Sequence, residues 1–284
     1  MSLTSTLQPL TRQARGNRLV WICASLLAVI AVASIVVPFL VDNDYQSTDF
    51  DNIFLPPTVA GQHFFGTDDL GRDLFVRTLL GVRITLFVAV IASFVSLFIG
   101  VIYGAIAGYV GGKIDALMMR LVDAMYALPF IFFVILLMVV FERSLLLIFI
   151  AIGAINWLDM ARIVRGQTLS LKQRSFVDAA KLIGVSPFGI VWRHLMPNLV
   201  GLVIVYMTLT IPQAILVESF LSFLGLGVQE PQTSLGALVN GGTNHVQSAT
   251  WLMVIPATVL AVILFCFNFL GDGLRELADP KSKT

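Results

Sequence analysis

The chain is 284 residues long, 57% hydrophobic and only 12% charged, with a mean hydropathy of +0.90. That balance excludes a soluble globular domain and puts the chain in a membrane. Its formal net charge of +1 speaks against nucleic acid and against an acidic ligand, because the charges gather in loops instead of covering a surface.

Six segments qualify as spans when set against the roughly 20 residues a helix needs to cross hydrocarbon. The first, Leu19 to Val41, follows Arg12, Arg15 and Arg18. Its apolar run continues past the cleavage-like Ala31-Val32-Ala33 and is too long for a signal peptide, so 19–41 reads as a retained anchor behind a short 1–18 segment. Cys23 here and Cys266 near the far end both lie in apolar runs. They read as small buried hydrophobes, not as a disulfide or a metal site.

Residues 42–83 carry seven acidic side chains and are more than a turn. From Thr67 onward, Leu70, Leu74, Phe75, Leu79 and Val82 fall on one helical face, with Asp73 and Arg77 spaced to support each other. The pattern predicts an amphipathic helix along the outer membrane surface. A docking role and a plain juxtamembrane helix both fit it.

The second span, Ile84 to Gly112, is long enough to require tilt. Gly100, Gly104, Gly108 and Gly112 recur every four residues, giving a bare ridge for close helix packing. Ala124 to Phe141 and Ser144 to Leu158 flank Glu142-Arg143 and read as a tight hairpin of two spans, with Pro129 near its start. The fifth span runs from about Leu199 to Val217, where Pro212 predicts a kink or unwinding. Glu218, which closes that span, faces either a central cavity or the outer interface. Ser222 to Gly227 leads into a polar loop reaching about Thr250, and Trp251 to Leu270 is the sixth span.

With the amino terminus in the cytoplasm, fourteen of the eighteen Lys and Arg residues fall on the inner side. That bias orients both termini inward. It also puts residues 159–198 in the cytoplasm.

Within that segment Ser175 to Asn198 forms a module with its own start and stop signals. Ser175 followed by Asp178 reads as a capping-box variant, and Gly184 suits the left-handed residue that ends a helix. Ser186 can cap a second helix with Pro187 at its first position, running to Leu195 before Pro197 breaks it. Ala179 and Ala180 are small enough to let a foreign groove approach. A helical hairpin packed on its own protein fits the pattern equally well.

Asp178-Ala179-Ala180, Gly184 and Leu195-Met196-Pro197 resemble the cytoplasmic "EAA" loop of the transmembrane subunits of bacterial ABC importers. Aspartate stands where glutamate is usual. Phe65 to Asp73, Leu221 to Gly227, Arg193 to Asn198 and Phe267 to Arg275 are similar to the peptide-permease branch. Gly111 to Arg120, Trp157 to Lys172 and Leu264 to Phe269 look most like the C-type subunit of oligopeptide permeases.

The resemblance implies an all-α integral membrane protein of the bacterial inner membrane. It would have six transmembrane helices, cytoplasmic termini and the type I ABC importer permease fold, with a core over 84–274 and a tail over 275–284. It further implies a heterodimer with a second homologous permease subunit, two cytoplasmic ATPase subunits holding ATP and Mg, an extracytoplasmic substrate-binding protein and a peptide substrate. This chain itself would hold no cofactor. Asp178, Ala179, Ala180, Lys181, Gly184, Val185, Ser186, Pro187, Arg193 and Pro197 would form the ATPase interface, with the first elbow helix as coupling helix. Dipeptide, glutathione and nickel permeases share these motifs.

The residues also argue against other chemistries. The nearest approach to a phosphate loop has Ala107 where a glycine is required and Ile114 where a hydroxyl should meet magnesium, so ATP hydrolysis is not expected here. His63, His194 and His245 fall in loops, away from any buried serine, and no cluster has metal-ligand spacing. A stand-alone channel or carrier lacks a ring of charge or an inverted repeat. A membrane scaffold, for which the module would be an assembly surface, remains open.

Overall fold

The computed structural model describes residues 18–41, 47–59, 63–140 and 145–278. Among them the chain is helical, with no strand beyond one isolated bridge between Thr67 and Asp73. In chain order the helices are α1 (Arg18–Leu40), α2 (Leu74–Val110), α3 (Gly112–Ala127), α4 (Phe130–Val140) and α5 (Leu145–Lys172). There follow α6 (Ser175–Leu182), α7 (Pro187–Gly189), a π-helical stretch Ile190–Leu195, α8 (Met196–Phe223), α9 (Leu235–Thr243) and α10 (Trp251–Ala278). The Glu142-Arg143 turn, Arg12, Arg15 and the end of the tail lie outside the described residues.

Among the described residues, four stretches are long and apolar enough to cross a membrane: Arg18–Leu40, Leu74–Val110, Pro187–Phe223 and Trp251–Glu276. Helix α4, at 11 residues, spans only about 16 Å. Helix α5 runs on to Lys172, so the expected fourth span and the first part of 159–198 are one helix. The expected third span is likewise divided, because Ala124 to Ala127 end α3 and the chain turns at Leu128-Pro129 before α4 begins.

Helix α2 corrects the expectation of a separate surface helix. Residues 67–73 are a folded loop, and the helix starts at Leu74 and continues for 37 residues, about 56 Å. Asp73 is not the ion-pair partner of Arg77. It is the helix cap, its carboxylate accepting from the Val76 N–H at 3.0 Å. The apolar stripe does not lie on lipid either: Leu74 packs with Leu238, Ala249 and Leu252 of the α9–α10 region. The helix ends at Gly111, whose φ of +71° breaks the run, so Gly112 opens α3 and is not part of the ridge.

The rest of the ridge packs as its spacing predicts. A Cβ on Gly104 would stand 2.4 Å from the Ala161 carbonyl, one on Gly100 2.6 Å from Met160 and one on Gly108 2.8 Å from Thr168. The bare face of α2 is therefore spent on α5. The main apolar core joins α1, α2, α8 and α10 through residues such as Leu27, Val88, Ile215 and Ile263. Both cysteines are buried in it and unpaired by disulfide.

Two further expectations change at α8. Pro212 sits inside an unbroken helix, so no unwinding occurs there. Glu218 is fully buried and reaches neither a cavity nor an interface. Its carboxylate accepts from Thr85 Oγ1 at 3.0 Å and Ser222 Oγ at 2.7 Å, while Thr85 Oγ1 accepts from the Leu235 N–H at 3.2 Å. One acid thus fastens α2, α8 and the start of α9, which is how a buried carboxylate is tolerated.

Candidate coupling site

The elbow after α5 is set by backbone chemistry. Helix α6 starts at Ser175 with Arg174 as its cap and no side-chain cap bond, so the expected capping box does not form. Asp178 instead pairs with Lys181 at 2.9 Å. Its end follows the sequence closely. Gly184 takes φ +82°, its N–H reaches the Lys181 carbonyl, and the Val185 N–H reaches the Ala180 carbonyl, both at 3.0 Å. This is the Schellman arrangement that closes a helix through a left-handed residue. The hydroxyl of Ser186 then accepts from the Gly189 N–H at 3.2 Å, with Pro187 in the first turn.

The second arm departs from expectation at its end. Pro197 does not break the helix. It sits in the first turn of α8, preceded by the π-helical stretch in which the Met196 N–H reaches back five residues to the Val191 carbonyl. The wider turn moves carbonyls away from the ring that would otherwise clash with them. The second arm is consequently continuous with a 37-residue apolar run from Pro187 to Phe223. The elbow is the bent end of a spanning helix, not a detached hairpin.

One face of the elbow is buried at home. Val177 and Ala180 join Ile190, Val191, Leu195 and Leu199 in a cluster closed by Val101, Ala105, Met160 and Val164 of α2 and α5. At this end of the molecule each large side chain removed from water contributes about 1.5–3 kcal/mol. The opposite face is open: Leu182 and Ile183 are 87% and 80% exposed, and Phe188 and Trp192 stand out beside them. Phe188 and Trp192 meet in a tilted contact with ring centroids 5.9 Å apart.

The predicted interface residues divide accordingly. Asp178, Ala179, Lys181, Gly184, Ser186, Pro187, Arg193 and Pro197 are exposed, Val185 is half-buried, and Ala180 points into the core. Ala180 therefore serves the protein's own packing and leaves Ala179 as the small residue on the open face. Leu182, Ile183, Phe188 and Trp192 were not singled out from sequence. The signal was present, since they are the large apolar residues on either side of Gly184, but only the fold separates them from Val177 and Ile190.

At the other end of α2 lies a second polar constellation. Arg72 bonds Asp68 at 2.7 Å and Glu230 at 2.6 Å, while Arg77 reaches Glu230 at 3.0 Å. Asp73 also holds His63 Nδ1 at 2.8 Å. Burial alone would raise the Glu230 carboxyl, yet Arg72 and Arg77 outweigh it and hold the group below its ordinary range. Burial works against charge on Arg72, and the bonds to Glu230 and Asp68 reverse that effect and raise it. The sequence separates these partners by about 155 residues, so no spacing rule could pair them.

Comparison with known proteins follows the same lines. A family model described as "Binding-protein-dependent transport system inner membrane component" matches residues 100–284. A second, the "N-terminal TM domain of oligopeptide transport permease C", matches residues 5–57. The chain is 53% identical over 276 residues to the oligopeptide transport system permease protein OppC of Escherichia coli K12, covering 97% of this chain and 91% of that one. It is 44% identical to the dipeptide transport system permease protein DppC of Bacillus subtilis, over 95% and 84% of the two chains. Its fold resembles a chain from an inward-facing structure of the MetNI methionine ABC transporter, with a TM-score of 0.58 at 18% identity over 69% of this chain and 94% of that one.

Proposed function

Because the chain belongs to the family of binding-protein-dependent transport system inner-membrane components, we propose that it carries oligopeptides inward and is moved by ATPases gripping its elbow. It is a multi-pass inner-membrane permease subunit of an ABC importer, and it is not itself an enzyme. ATPase and substrate-binding protein partners follow from membership of such an importer. The second permease subunit is a homologue forming a heterodimer, and ATP with Mg resides on the ATPases.

Six spans with both termini inside remain the reading of the topology, the third and fourth being those expected over 124–141 and 144–158. The elbow then lies in the cytoplasm and the Arg72–Glu230 cluster outside. The observation that carries the coupling role is the division of the elbow into two faces. Val177 and Ala180 anchor it to α2 and α5, while Leu182, Ile183, Phe188 and Trp192 offer an apolar surface to a groove. An element so anchored passes a push on its outer face directly into the spanning helix α8.

The test is Ile183→Asp in the assembled transporter, reading peptide uptake and peptide-stimulated ATP hydrolysis together. Since Ile183 is exposed, the chain should fold and insert. Uptake should fall by about tenfold or more, as expected when a buried contact residue is replaced by a charge. Normal uptake at normal expression would overturn the coupling role.

A further inference from the structure

A group of ionisable side chains stands on the surface of α3 and α5 at a depth where lipid would be expected. Arg162 bonds Asp123 at 2.5 Å and lies 4.2 Å from the centre of the Tyr126 ring. The Tyr126 hydroxyl donates to Asp159. All four are exposed. Their depth follows from the ridge: Met160, beside Asp159, packs on Gly100 of α2. Gly100 lies inside the uncharged run Ile84 to Val110, about 24 Å from one end and about 15 Å from the other.

Charged groups at such a depth do not face hydrocarbon; they line aqueous paths or pair across an interior. With two carboxylates and one guanidinium the cluster keeps an excess negative charge. A partner helix packed over it would bury that excess, which is costly unless the partner brings a cation. Beside the cluster opens an apolar cavity of about 310 Å³, lined by Met125, Tyr126, Leu128, Phe133, Ile155 and Leu158 among others. Negative charge next to an apolar pocket complements one end of a peptide in particular, the α-ammonium with the first side chain beside it.

We propose that Asp123 and Asp159 hold the amino terminus of a peptide in transit while the α3–α5 cavity takes its first side chain. This rests on the oligopeptide-importer reading. Tyr126 and Arg162 position the carboxylates, the phenol orienting Asp159 and the guanidinium Asp123.

The test uses the complete transporter in proteoliposomes with its binding protein and ATP. The probe is a tripeptide with a free amino terminus and a benzophenone side chain on its first residue. Light should attach it to residues 125–133 or 154–158 of this chain. Asp159→Asn should cut that labelling about tenfold, the loss expected for one charge-assisted hydrogen bond. Leu128→Trp, at an exposed position, should narrow the cavity and slow uptake of peptides beginning with a large residue, sparing those beginning with alanine. It decides the matter if Asp159→Asn fails to assemble. Label confined to the second permease subunit or to lipid, or labelling and uptake unchanged in both variants, would overturn the proposal. Uptake by the unsubstituted complex is read in the same vesicles. Uptake without labelling of this chain rejects the binding station alone, whereas no uptake rejects the importer reading itself.

Discussion

Gly184 shows how much a single backbone position can decide. Its φ of +82° has open space around it, so a side chain there meets no clash and the penalty is conformational, about 1–2 kcal/mol for an L-residue. Gly184→Val should leave the protein inserted but reduce co-purification of the ATPases and coupled uptake, and Gly184→Asn should retain more of both because asparagine tolerates that region. Gly184, Ser186 and Pro187 were legible in the sequence because their roles are local. Asp73 and Asp178 were misread between local alternatives: an i+4 spacing offered Arg77 where Asp73 caps the Val76 N–H, and a cap pattern offered Ser175 where Asp178 pairs with Lys181. Glu230 makes a sharper case. Its folded pKa is depressed, so its contribution is present above the unfolded value of about 4.3 and is lost as pH falls through the lower folded value. The protection of residues 63–73 against hydrogen exchange, taken relative to the intrinsic rate at each pH, should therefore fall on acidification below that unfolded value, and Glu230→Gln should weaken that pH dependence. The side chain is 62% exposed, which keeps the effect modest.

At the scale of elements, the α2–α5 seam supplies the clearest test. Where a Cβ on Gly104 would come within 2.4 Å of a backbone carbonyl, nothing flexible can give way. Gly104→Leu should force the helices apart at a cost of about 1–3 kcal/mol, read as a lowered Tm of the purified complex. A four-residue glycine repeat reveals its geometry from sequence alone, although not which helix fills it. Helix ends were less legible. Hydropathy stopped the fourth span at Leu158 because polar residues begin there, yet α5 continues to Lys172 with Arg165 bonded to Asp115 at 2.5 Å. Proline misled at Pro197, which a π turn accommodates, and Pro212 sits in a helix that does not unwind.

For the whole molecule, class and membrane location were written in bulk composition, and the elbow was marked by its own punctuation. What sequence could not reveal was which face of each helix is spent on its own protein. That requires knowing that Ala180 points in while Leu182 points out. If the chain is a driven subunit, reconstitution of it alone should move no peptide, and uptake should return only with the ATPases and ATP. Solute flux from the lone chain would mark an independent carrier.

Helix α2 is one uninterrupted shaft whose amino-terminal end is locked by Asp73 and Arg77 and whose carboxy-terminal end is wedged under the elbow. A stiff shaft of about 56 Å tilted by about 10° swings its far tip by about 10 Å. Any torque applied at the knuckle must reappear at the opposite rim, without a relay of intermediate parts. In the importer proposed above, such a tiller ties the two mouths of the passage together, so that opening one is, by leverage alone, closing the other.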